Sequence, residues 1–138
     1  MSRTDFYHNH VRDALIKAGW VVVKQFFGAP LAYTRVEMDL LMEKVEEDGS
    51  KTRVVIEVKN FRDENAYVSE LQKSIGQYLL YRDILEYQGY DYLLYLAVPT
   101  SVYKDLLRSA LIHKLFQKHQ IRLLLFNPQD QTLLQWNP

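Results

Sequence analysis

The 138-residue chain contains no cysteine, which excludes disulfides and thiolate-held metals and fits a reducing cytoplasm. It carries no net charge: 17 basic residues cancel 17 acidic ones. A protein that coats nucleic acid through its overall field is therefore disfavoured. An enzyme is not, because a bound ion can supply positive charge locally. No apolar run approaches the roughly 18 residues of a membrane span. The polar start MSRTDFYHNH lacks the apolar stretch of a secretion signal. A cytoplasmic protein without a membrane partner is expected. Also missing are a glycine-rich phosphate loop, a G-x-S-x-G elbow, a dinucleotide fingerprint and an H-x-x-x-H zinc pair. No linker, repeat or low-complexity tract divides the chain, so residues 1–138 are expected to form one domain.

What is present is ordinary globular material, 48% hydrophobic and 25% charged. Aromatics reach 13% with ten Tyr, which leaves a partner surface open. Thr4 is placed to cap a helix reaching about Ala18, with Tyr7, Val11, Ala14, Leu15 and Ala18 at helical spacing and Gly19 ending it. Trp20 to Phe27 reads as a strand, and Gly28, Ala29 and Pro30 as a loop. Arg35 to Lys44 and Arg53 to Lys59 form a hairpin about the polar turn Glu46 to Ser50.

A long helix follows over Tyr67 to Glu86, with Val68, Leu71, Ile75 and Leu79 as its apolar stripe. Asp91 to Val98 has the continuous apolar run of a strand buried on both faces. Pro99 ends it, Thr100 or Ser101 caps helical material to about His119, and Ile121 to Phe126 is another buried strand. Thr132 to Trp136 is a short edge strand. The order α-β-β-β-α-β, then a further helix and strand, implies an α/β fold with a mixed central sheet flanked by helices.

Strands expose alternate residues to opposite faces. Arg35, Glu37 and Asp39 then share one face of their strand, with Val36, Met38 and Leu40 on the other. Glu57 and Lys59 point the same way from the partner strand. Asp39 and Glu57 are both several residues from the turn and can meet across the hairpin. Such a set suits Mg²⁺ or Mn²⁺, which take one or two carboxylates with water and phosphate oxygens. Asp39 and Glu57 would supply the carboxylates and Val58 a backbone carbonyl. Lys59 would stand near an attacking water or a scissile phosphate and offset developing charge. Glu37 joins the site or is a solvated neighbour. The plainer alternative is that these charges form the solvent face of an amphipathic strand, with Asp39 paired to a base.

Asp39 followed by Glu57-Val58-Lys59 resembles the D…(D/E)-x-K signature of the PD-(D/E)XK nuclease superfamily, with Met38 where many members have Pro. The element order resembles its restriction-endonuclease-like core. Several ordered stretches also resemble the fdxN-element excision controlling factors of the XisH type. They are His8…Val11…Ala14-Leu15…Gly19-Trp20, Val36-Glu37…Asp39-Leu40, Ile56 to Phe61, Gly76-Gln77-Tyr78…Tyr81-Arg82 and Leu94 to Pro99. The resemblance implies a part in site-specific excision of a DNA element, beside a recombinase and other accessory factors. It implies Asp39 and Glu57 as metal ligands and Lys59 as the catalytic lysine. Gln77 and Tyr81 resemble a Q-x-x-x-Y element that follows the E-x-K strand in a nuclease subgroup.

Gln77 and Tyr81 share a helix face with Lys73 and Ser69, which is either a solvated flank or a wall of the site. His8 is structural, or it is a wall of the site beside the helix whose counterpart in some nucleases adds an acidic or polar group. Arg35 is a salt-bridge partner rather than a DNA reader. Lys104, Arg108, Lys114, Lys118 and Arg122, with His113 and His119, make the region after Pro99 basic, as a solvated face or a phosphate contact. Trp136 and the Tyr87 to Tyr95 stretch are core or an oligomer surface. Three functions stay open: a metal-dependent nuclease acting on DNA, a non-catalytic excision factor working through DNA or protein partners, and a structural subunit whose charges form an internal network. A small subunit on duplex DNA is expected to be a homodimer, because two-fold symmetry matches the duplex.

Overall fold

The turn between the two acidic strands is the most fully specified local feature. Glu46 N–H donates to the Ser50 carbonyl at 2.7 Å, and Gly49 N–H to the Glu46 carbonyl at 3.0 Å. Gly49 takes φ +87°, a region open to a residue without Cβ. The Asp48 carboxylate accepts from both the N–H and the hydroxyl of Ser50, which holds it below the usual carboxylate range. This turn joins β2 (Thr34–Val45) to β3 (Lys51–Val58), and a two-residue turn at Ala32 and Tyr33 joins β1 (Val21–Leu31) to β2. The computed structural model describes residues 6–61, 64–107 and 109–137. Thr4, the expected cap, and Arg108 lie outside them.

β1 is longer than its sequence suggests. Gly28, Ala29 and Pro30, expected as a loop, continue the strand, with Ala29 buried and Pro30 opposite Arg35. Proline lacks an N–H, and it is tolerated here because β1 is an edge strand. The Arg35 guanidinium lies across Gly28, where a Cβ would collide with it.

The remaining elements are α1 (Phe6–Lys17), α2 (Tyr67–Tyr87), β4 (Leu93–Pro99), α3 (Thr100–Val102), α4 (Ala110–Lys118), β5 (Arg122–Asn127) and β6 (Asp130–Asn137). A 3₁₀ turn, Glu64–Ala66, precedes α2. The single helix expected over 100–119 is broken: α3 passes into a π-helical turn, Tyr103–Leu107, and α4 restarts after Ser109. α1, α2 and α4 close alike, with Trp20, Tyr90 and Ile121 N–H donating back to the Leu15, Leu85 and Phe116 carbonyls. In each the preceding residue (Gly19, Gly89 or Gln120) has positive φ, the Schellman arrangement.

Among the described residues six strands form one mixed sheet in the order β1-β2-β3-β4-β5-β6. β3, β4 and β5 run parallel, and the other neighbouring pairs are antiparallel. The parallel pairs are linked by helical crossovers, and helices cover both faces. On one face Val11 and Leu15 of α1 pack on Leu40, Met42, Val54, Ile56, Leu124 and Phe126. On the other, Leu71, Tyr78, Tyr81 and Leu85 of α2, with Val102, Leu107 and Phe116, cover Met38, Leu41, Val55, Leu94, Leu96 and Leu125. β4 is thus buried on both sides, as its apolar run predicts.

α2 is rotated from the expected stripe. Val68 is exposed, and Ser74, Tyr78 and Tyr81 are buried instead. The Tyr78 hydroxyl explains this: it donates to the Leu94 carbonyl at 2.7 Å and accepts the Arg122 N–H at 3.1 Å, so the polar tip of a buried ring is satisfied. Trp136 packs edge-on against Tyr95 and tilts on Trp20, closing the α1 face, whereas Tyr87 is exposed and Tyr90 stacks on Tyr92 beside Phe27. Among the described residues no helix is long and apolar enough to cross a membrane.

Candidate active site on the β2–β3 hairpin

The backbone pairing of β2 with β3 runs from Val45↔Lys51 to Leu40↔Ile56. One step further Asp39 and Glu57 stand opposite each other, and side chains replace the ladder. Asp39 N–H donates to Glu57 Oε1 at 3.1 Å, and Val58 N–H donates to Asp39 Oδ2 at 2.8 Å. Lys59 is tied to β4 through its N–H, which donates to the Ala97 carbonyl at 2.8 Å. Its Nζ lies 3.7 Å from Glu57 Oε2. The expected trio of Asp39, Glu57 and Lys59 is therefore brought together at the open end of the hairpin.

Glu57 is 7% exposed. Burial, and next the neighbouring Asp39 carboxylate, push its carboxyl up to about 8, with Lys59 opposing the shift. Bringing a cation to this pair would relieve both causes. The two side chains offer hard carboxylate oxygens, and the Val58 carbonyl is a backbone oxygen in the same segment. Among the described residues no three His, Asp or Glu side chains converge as a metal cluster. An ion here would complete its shell with water and phosphate oxygens, a habit of Mg²⁺ rather than of zinc. The residues fit that ion.

Strict alternation does not hold along β2. Met38 packs in the α2-side core and Leu40 in the α1-side core, although residues two apart normally share a face. The switch falls at Asp39, which separates it from Glu37; Glu37 is exposed and opposite Gly28 on β1. On β1 the residue opposite Asp39 is Phe26, as the flanking pairs Phe27↔Met38 and Gln25↔Leu40 require. Phe26 has φ 56°, a left-handed conformation that costs an aromatic residue roughly 1–3 kcal/mol. No residue signal foretells it, because Gln25-Phe26-Phe27 reads as plain strand.

His8 is buried on α1, with Nε2 2.9 Å from Gln25 Oε1 and its ring stacked on Phe26 at 5.2 Å and 18°. Gln77 is half-buried on α2, and its Oε1 is buried with no hydrogen-bond partner among the described residues. Tyr81 belongs to the α2-side core rather than to a polar flank. Lys104, His113, Lys114, Lys118 and His119 are exposed. The Arg82 guanidinium donates to the His119 and Gln120 carbonyls at the end of α4. A cavity of about 560 Å³ between the π-helical turn, α4 and the start of β5 includes none of the trio.

A family model described as XisH protein matches residues 1–134. No curated protein matches the chain. The chain is similar to the crystal structure of an XisH family protein from Nostoc punctiforme PCC 73102, with a TM-score of 0.85 and 25% identity, covering 97% of this chain and 100% of that one. It is equally similar to an fdxN element excision controlling factor protein from Anabaena variabilis, with a TM-score of 0.85 and 25% identity, covering 97% of this chain and 99% of that one.

Proposed function

Because the chain belongs to the XisH family, we propose that it acts in excision of a DNA element, as a nuclease-fold factor with a Mg²⁺- or Mn²⁺-dependent phosphodiester-hydrolysing site. One observation carries this reading: two carboxylates and a lysine, delivered by adjacent strands, meet where the backbone ladder stops. A divalent ion there would polarise a phosphate and activate water. Asp39 and Glu57 hold that ion. Lys59 orients the attacking water and offsets charge growing on the phosphate. Gln77, whose buried oxygen lacks a partner among the described residues, would bond the ion's water shell, and His8 backs the site from α1. In this reading the core is restriction-endonuclease-like, belonging to the PD-(D/E)XK superfamily. The protein works in the cytoplasm as a homodimer on duplex DNA beside a recombinase and other accessory factors.

A second reading has its own observation. Both carboxylates already accept main-chain N–H groups, so they also act as a clip between strands. A non-catalytic excision factor binding DNA or protein partners would keep them for that alone.

Linear, circular, single-stranded and branched DNA, each with Mg²⁺ or Mn²⁺, separates the two readings. Cleavage that disappears in both Asp39→Ala and Lys59→Ala supports the catalytic one. Absence of cleavage on every substrate, with DNA or partner binding retained in both variants, overturns it in favour of the second.

A further inference from the structure

We infer that His8 is a positioning residue for the Asp39 carboxylate, acting through Phe26. The inference rests on reading Asp39 and Glu57 as a ligand pair, and it assigns to α1 the task of aiming one of them.

On both sides of Phe26 the β1–β2 register is the same, Phe27↔Met38 and Gln25↔Leu40, so no residue is inserted. The strands nonetheless change facing there, because Met38 and Leu40 enter different cores. A register that is kept while the facing turns over requires an unusual dihedral, and Phe26 supplies it at φ 56°. An aromatic residue does not adopt that conformation unaided. His8 grips it from α1 at two consecutive points. Its ring stacks on Phe26 with an interplanar angle of 18°, and its Nε2 lies 2.9 Å from Gln25 Oε1. His8 is 2% exposed, so the grip is sealed from water.

The consequence appears on the next strand. With its facing turned over, Asp39 directs its carboxylate along the sheet toward β3, where Oδ2 accepts the Val58 N–H. Alternation from the paired Leu40 and Ile56 already sets Asp39 and Glu57 on one face of the sheet; the turnover lays the Asp39 carboxylate along the sheet, within reach of the Val58 N–H. His8 thus sets the direction of a ligand without touching the ion.

A matched control exists on the same helix. His10 is also 2% exposed, but it packs on Phe126 and Phe6 rather than on β1. In metal-free protein, amide hydrogen exchange of Asp39 and Val58 reads the clip directly, and Mn²⁺ affinity by electron paramagnetic resonance reads the ligand pair. His8→Ala is expected to speed both amides and to weaken Mn²⁺ binding by about tenfold, as loss of an outer-shell partner does. His8→Phe, which keeps the stack, should recover most of the effect. Gln25→Leu tests the second grip should His8→Ala fail to fold. His10→Ala, at a comparable loss of Tm, should change neither readout. The inference is overturned if the two amides and Mn²⁺ affinity respond alike to the His8 and His10 variants, or if neither responds to His8→Ala or Gln25→Leu. Absence of Mn²⁺ binding in the parent protein would remove the ligand-pair reading, while the exchange rates would still decide the role of His8.

Discussion

Replacing Glu57 with Gln should make the metal-free protein more stable in alkali while changing little in acid. The ordinary carboxyl value is 4.5, and in the fold burial and Asp39 raise it to about 8. Below about pH 4.5 the group is protonated whether the chain is folded or not. Between about 4.5 and 8 the folded chain keeps a proton that the unfolded chain has lost, so stability falls as pH rises through this window. The limiting slope is about 1.4 kcal/mol per pH unit, and the full interval would amount to roughly 4–5 kcal/mol. Relaxation around the ion pair with Lys59 reduces this, and about 2–3 kcal/mol is expected. For a chain of this size that is roughly 6–12 °C in Tm. The amide keeps an acceptor for Asp39 N–H and has no proton to lose. Thermal or urea unfolding of both proteins in EDTA, from pH 5.5 to 9, gives the test. All other ionisations are common to both proteins, so the quantity to follow is the difference between the two curves. A difference that is flat across the range would refute the assignment of a neutral, buried Glu57.

Three further outcomes follow from the same structure. Binding of Mn²⁺ or Mg²⁺ near pH 7 should release close to one proton per ion, because the ligand must ionise; calorimetry in buffers of different ionisation enthalpy measures it, and zero release would count against Glu57 as a ligand. Tyr78→Phe strips the Leu94 carbonyl and the Arg122 N–H of their shared hydroxyl and should cost about 1–3 kcal/mol in urea unfolding, with a loss under about 0.3 kcal/mol refuting that role. Gly89→Ala meets no neighbouring atom within 4 Å, so backbone strain at φ +81° is its sole penalty, about 1 kcal/mol, and no measurable Tm change would contradict that account.

Much of this architecture was legible because hydrophobic pattern and turn chemistry agreed. The run Asp91 to Val98 announced a strand covered on both sides, and Asp48-Gly49 announced the hairpin that brings Glu57 opposite Asp39. The trio was legible for the same reason. The losses have separate physical causes. Gly28-Ala29-Pro30 has loop composition, but an edge strand tolerates a residue with no N–H. The α2 stripe was misplaced because Tyr78 and Ser74 are polar by type yet buried. The face switch at Asp39 was hidden because alternation assumes ordinary dihedrals, and nothing in Gln25-Phe26-Phe27 marks one as left-handed. That hidden feature bears directly on where a carboxylate points.

The sheet's order carries a consequence for assembly in time. Every strand pairs with the one before it in the chain, so no strand must wait for a partner made much later. A chain emerging from its N-terminus presents its strands in that order. The hairpin bearing Asp39 and Glu57 is complete once Val58 has appeared, whereas the Ala97 carbonyl that fixes Lys59 arrives with β4. The segment that brings the two acidic groups opposite each other is thus available before the strand that fixes the lysine tempering them.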